Sequence, residues 1–221
     1  MSFNEFLAGY KADELEEVRK VQTVGTDFSE LLRKYELELD RFELFLEVYN
    51  SNITEVLTPS EINSFLQTTQ QFGGHQNYSW CTGRILSILL QNSYNKGYNH
   101  FNLETRNLPR ISGIGYLIGK EENHLILSVQ GNVGIDVGRK TQYSTFTING
   151  EIWSGCGLKA KHSTFTYNGA VGDLCGLEAK NCTFKTSIWE NVAEMKKSIN
   201  PYNRNTLIYI DHGEEVRIFI A

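Results

Sequence analysis

Three consecutive stretches decide the fold: GNVGIDVGRKTQYSTFTIN (131–149), GEIWSGCGLKAKHSTFTYN (150–168) and GAVGDLCGLEAKNCTFKTS (169–187) align without a gap. A degenerate fourth, SGIGYLIGKEENHLILSVQ (112–130), precedes them. In the register of this repeat Gly131, Gly150 and Gly169 share one column, and Gly119, Gly138, Gly157 and Gly176 share another. Gly115, Gly134 and Gly172 form a third, which Trp153 interrupts, and Leu127, Phe146, Phe165 and Phe184 form a fourth. Twelve of the chain's 19 glycines fall within 112–187, so glycine belongs to the repeat rather than to ordinary loops. A fixed period of this kind marks a unit that buries its apolar face only against its neighbours. Within STFTI (144–148), alternation sends Ser144, Phe146 and Ile148 to one side and both threonines to the other. The repeat therefore predicts coils stacked at the strand spacing of roughly 4.8 Å. The phenylalanines form an interior ladder beside Val129, Ile148 and Tyr167, and glycine takes the corners.

Outward from the repeat, the pattern changes at the three prolines, Pro59, Pro109 and Pro201. Thr58-Pro59-Ser60-Glu61 predicts a capping box with proline at the first helical position. It opens a helix over Glu61–Gln70 that Gly73-Gly74 ends. Apolar residues at three- and four-residue spacings predict an amphipathic helix over Phe28–Tyr49, and shorter helices are expected over Ala12–Val21 and Ser79–Asn92. Beyond the repeat, Asn191–Ile199 reads as a linking helix. TLIYI, the turn DHGE and EVRIFIA read as a hairpin over Asn205–Ala221.

The spacing G-x-x-G-x-x-x-G, at Gly131/Gly134/Gly138 and Gly169/Gly172/Gly176, resembles the GXGXG-type solenoid. That domain ends the large subunit of glutamate synthase and forms much of one subunit of formylmethanofuran dehydrogenase. The resemblance covers residues 112–187. It implies a right-handed β-helix that serves as a structural and interface element beside domains that carry chemistry, and it transfers no catalytic residue and no cofactor. Together the readings predict an α+β chain in three parts. A mostly helical region spans 1–108, a short right-handed parallel β-helix of about four coils spans 109–187, and a helix-plus-hairpin cap spans 188–221.

The chain has 221 residues, with 21 Lys+Arg, 26 Asp+Glu and a net charge of −5. Residues 1–70 hold 14 acidic and 6 basic side chains, against 12 and 15 in 71–221. That balance disfavours nucleic acid, whose phosphates need concentrated positive charge. No apolar run reaches the roughly 18–20 residues of a membrane span, and the first residues lack the pattern of a secretory signal. Four cysteines without C-x-x-C spacing fit a reduced, cytoplasmic protein.

Several residue groups invite a chemical reading. Arg139, Lys140, Lys159, Lys161 and Lys180 recur at nearby offsets and predict a basic stripe for an anionic or protein partner. Its plainer role is to keep molecules from pairing edge to edge. Cys156 and Cys175 share a column with Ile118 and Val137, which predicts small apolar interior positions rather than a metal site. Thr145, Thr147, Thr164, Thr166 and Thr183 form an outward array that looks like those of ice-binding solenoids, broken at Lys185. Gln76, Cys81 and His124 faintly resemble the glutamine, cysteine and histidine of papain-like peptidases, since a thiol at a helix N-terminus is easier to ionise. Set against them is the reading of Cys81 as a buried helix residue. The expectation is a non-enzymatic scaffold or interaction module that self-associates or binds a protein. A cysteine-dependent hydrolase or transferase, and an anionic-polymer binder, are the alternatives.

Overall fold

The structure, a computed structural model, describes residues 26–41 and 52–220. The helix expected over 12–21 and the end of the one expected to reach Tyr49 lie outside those residues. The chain divides into two compact units, Met1–Glu30 and Leu31–Ala221. Apart from Ser29 and Glu30, every described helix and strand belongs to the second.

Among the described residues three helices come first: α1 (Ser29–Arg41), α2 (Pro59–Thr68) and α3 (Tyr78–Tyr94). The capping box at α2 is formed, with the Glu61 N–H donating to Thr58 Oγ1 at 3.3 Å and the Thr58 N–H donating to Glu61 Oε2 at 2.8 Å. A single 3-10 turn, Thr69–Phe72, carries the chain on to Gly73. Tyr35 binds the three helices together. Its ring lies edge-on to Phe65 at 6.0 Å, and its hydroxyl is 2.7 Å from Thr82 Oγ1 on α3.

Nine strands follow: β1 (His100–Glu104), β2 (Leu125–Gln130), β3 (Val133–Ile135), β4 (Ser144–Asn149), β5 (Ile152–Ser154), β6 (Thr164–Tyr167), β7 (Thr183–Thr186), β8 (Thr206–Asp211) and β9 (Glu214–Ile218). A fourth helix, α4 (Trp189–Lys196), lies between β7 and β8. Seven strands make one sheet in the order β1-β2-β4-β6-β7-β8-β9, parallel throughout except for the last pair. Strands β3 and β5 form a separate parallel pair, extended by bridges from Ile111 to Val133 and from Ile152 to Val171.

This corrects the expected class. The chain is a mixed α/β structure around one seven-stranded, mostly parallel sheet, and not a helical region followed by a self-contained four-coil β-helix and a cap. The sheet begins at His100, inside the region expected to be helical, and ends at Ile218, inside the expected cap. The separate β3–β5 pair is only two strands wide, with a single bridge on either side of it. The physical reason is that main-chain pairing does not require a repeated sequence. HFNLE and TLIYID alternate as the repeats do, so the ladder runs on into them. There the steps are longer than the repeat, from His100 to Ile126 at one end and from Thr183 to Thr206 at the other.

Between those ends the step equals the repeat, and it aligns like with like. Leu127, Phe146, Phe165 and Phe184 pair in sequence, joined by Phe101 before and Leu207 after, and all are buried. The rings stack at 5.2 Å (Phe146 to Phe165) and 5.4 Å (Phe165 to Phe184). Burial of each contributes about 1.5–3 kcal/mol, and each stacked pair adds about 0.5–1.5 kcal/mol.

The register differs in the first rung. The Gly138 N–H bonds the Ile114 carbonyl, as Gly157 bonds Val137 and Gly176 bonds Cys156. Gly115, rather than Gly119, therefore stacks beneath Gly138, and Ile114, rather than Ile118, lies under Val137, Cys156 and Cys175. Left-handed residues line up in this shifted register as three columns: Gly113/Asp136/Gly155/Leu174, Gly115/Gly138/Gly157/Gly176 and Leu117/Lys140/Lys159/Glu178. The first rung is longer in the turn that the Lys120–Asn123 bridge closes, and β2 then restores the spacing of the repeat, with Leu125 opposite Ser144.

Candidate functional site

Side chains from helices, and one from the residue just before β8, close both ends of the stack. At the first rung, α3 places Ser87 so that its hydroxyl donates to the Gly113 carbonyl and accepts from the Gly115 N–H, both at 2.9 Å. Tyr94, at the end of the same helix, accepts from the Lys120 N–H at 2.9 Å and donates to the Asn123 carbonyl. At the last rung, Asn191 of α4 accepts from the Val171 N–H at 3.0 Å and donates to the Gly169 carbonyl at 2.9 Å. Asn205 does the same for Cys182 and Ala179, at 3.0 and 2.8 Å. These side chains supply the partners a further rung would have supplied, which buried main-chain groups require. Sequence reading missed all four. An asparagine between apolar helix positions, as in WENVAEM, is the one signal that pointed to them.

The residues singled out from the sequence are scattered. Cys81 lies inside α3, 1% exposed, and burial, followed by the Glu38 carboxylate, pushes its thiol up to about 12. A nucleophilic thiol needs the opposite shift. Its main-chain N–H already bonds the Asn77 carbonyl at 3.0 Å. Gln76 is exposed in the turn before α3, and His124 is exposed before β2. No hydrogen bond or ion pair joins Cys81, Gln76 and His124 among the described residues. The other thiols are interior as well. Burial raises Cys175 to about 12 and Cys182 to about 11, and lifts Cys156 well above its ordinary range. All four cysteines are free.

The basic residues fall into two groups. Arg139 Nη1 meets Asp136 Oδ2 at 2.6 Å, Lys159 lies 3.5 Å from Glu178, and Lys140 donates to the Tyr116 hydroxyl at 3.3 Å. Lys161 and Lys180 stand exposed and directly stacked, next to Gln142 in the same column. The outward threonines pair rung on rung from Thr145 through Thr164 and Thr183 to Thr206, half-buried, while the neighbouring rank passes from Thr147 and Thr166 to Lys185. Among the described residues no group of three or more His, Cys, Asp or Glu is placed to hold a metal, and no helix is long and apolar enough to cross a membrane.

Apolar surface gathers at the far end of the sheet. Trp189 is 58% exposed and packs edge-on against Tyr209 of β8 at 5.1 Å. Tyr209 pairs with Val216 of β9, itself 44% exposed, and Phe219 just beyond is 83% exposed. No described strand pairs with the outer edge of β9. No family model, curated protein or solved structure matches the chain.

Proposed function

We propose that the protein is a non-enzymatic structural or protein-interaction module that scaffolds an assembly. The observation that carries this reading is the apolar end of the sheet, where Trp189, Tyr209, Val216 and Phe219 surround a strand edge that no described segment covers. Exposed aromatic surface next to an open edge suits a protein partner. The resemblance of the glycine spacing to GXGXG-type domains, which serve as structural and interface elements, points the same way. A cytoplasmic setting is part of the proposal, supported by four unpaired thiols. The thiol-hydrolase alternative draws no support from Cys81, whose sulfur is buried and held protonated. Size exclusion with light scattering, combined with affinity capture from the source, tests the reading. A stoichiometric partner or self-association is expected, and a lone monomer that captures nothing contradicts it.

A further inference from the structure

Resting on that reading, we infer that the partner at the β9 edge is a second copy of this chain, joined by antiparallel pairing of β9 with β9 about a two-fold axis. The turn His212-Gly213 has positive φ at both residues (49° and 91°), so the β8–β9 connection is a two-residue hairpin. In such a hairpin the flanking pair, Asp211 and Glu214, exchanges main-chain hydrogen bonds. Alternate pairs along the ladder do the same: Tyr209 with Val216, then Leu207 with Ile218. The main-chain groups of Glu215 and Arg217 therefore point away from β8, toward the open edge. The β8 side agrees, because the Thr206 N–H bonds Cys182 in the opposite direction.

An antiparallel partner must match these outward groups, and for two identical strands only a few registers do so. Glu215 opposite Glu215 sets carboxylate on carboxylate. Arg217 opposite Arg217 sets guanidinium on guanidinium. The register between them, centred on Val216, sets Glu215 of each copy opposite Arg217 of the other. The two valines then meet as the closely spaced, non-hydrogen-bonded pair. Both charges lie on the outer face, where Lys185 is already ion-paired with Glu215 and Arg217 Nη2 donates to Thr206 Oγ1 at 3.3 Å. Val216 lies on the inner face opposite Tyr209, whose ring packs against the exposed Trp189, and a second Val216 extends the apolar surface across the axis. Charges of one sign on an edge strand prevent pairing. Here the two signs sit one residue either side of the centre, which favours the register centred on Val216 and makes the contact isologous and closed.

The test is the mass in solution across a concentration series. The wild-type chain is expected to rise from 25.2 kDa toward twice that value. Glu215→Arg alone and Arg217→Glu alone are each expected to remain monomeric, and the double variant Glu215→Arg/Arg217→Glu, which exchanges the charges, is expected to recover the dimer. Hydrogen exchange on the wild-type chain gives a readout that needs no variant: the amides of Glu215 and Arg217 gain protection as concentration rises. A wild-type monomer at every soluble concentration, or single reversals that leave the dimer unchanged, overturn the inference. A monomer that captures another protein from the source overturns this partner while leaving the interaction-module reading in place.

Discussion

Gly138 has φ +67°, and a Cβ built there lies 2.7 Å from Cε1 of Phe165. Both the backbone and the phenylalanine ladder demand glycine at this point. Gly138→Ala adds a left-handed residue, which costs about 1–2 kcal/mol, to overpacking of about 1–3 kcal/mol. A loss of about 2–5 kcal/mol in urea unfolding is expected. Gly74→Ala, with open space around it and no positive φ, is expected to stay within about 0.5 kcal/mol of wild type. The column Gly138/Gly157/Gly176 was legible because all three rungs need the same answer. Its neighbours were not. Asp136, Lys140, Lys159 and Leu174 are left-handed too, and nothing in their side chains announces it. The misplacement of Gly119 has the same origin: a gapless alignment cannot see a longer turn when Gly115 and Gly119 both offer themselves to the column.

The helices act on the stack through single polar groups, and these set the cost of breaking each contact. Asn191→Ala leaves the Val171 N–H and the Gly169 carbonyl without their partner. The expected cost is about 1–3 kcal/mol, measured by chemical denaturation. Thr58→Ala removes the oxygen at the centre of the α2 capping box and is expected to cost about 0.5–2 kcal/mol by the same measurement. Among the elements, α2 and the β8–β9 hairpin could be read beforehand because local chemistry specifies them, with cap and proline in one and a two-residue turn in the other. Strand β1 could not. HFNLE alternates over five residues only, too few to set it apart from the chain around it, and its pairing with β2 is what makes it a strand. The Glu215–Arg217 edge was equally hidden, since it has meaning only once β9 is known to be outermost.

At the scale of the molecule, a dry interior governs ionisation. All four thiols are pushed up by burial, so the folded chain holds their protons more tightly than the unfolded one. Their contribution is complete below the ordinary thiol value of 9.0 and declines as pH climbs toward the 11–12 range reached in the fold. The urea midpoint is expected to be lower at pH 10 than at pH 8, and an unchanged midpoint would count against this burial. At neutral pH a thiol reagent is expected to label none of the four cysteines until the chain is unfolded, whereas rapid native labelling of Cys81 would revive a catalytic reading. The overall class was the least legible feature, because a repeat shows where coils resemble one another and not where their sheet stops. Everything in the molecule depends on successive repeats lying side by side and parallel, with Thr147 next to Thr166. Oxidation of the Thr147→Cys/Thr166→Cys variant tests this directly, since paired positions fall within the roughly 4.4–6.8 Å Cα separation of a disulfide. Peptide mapping is expected to find a disulfide between those two residues and none in Thr147→Cys/Lys185→Cys, whose positions lie two rungs apart. No bond in the first variant, or equal bonding in both, would contradict the stacked arrangement.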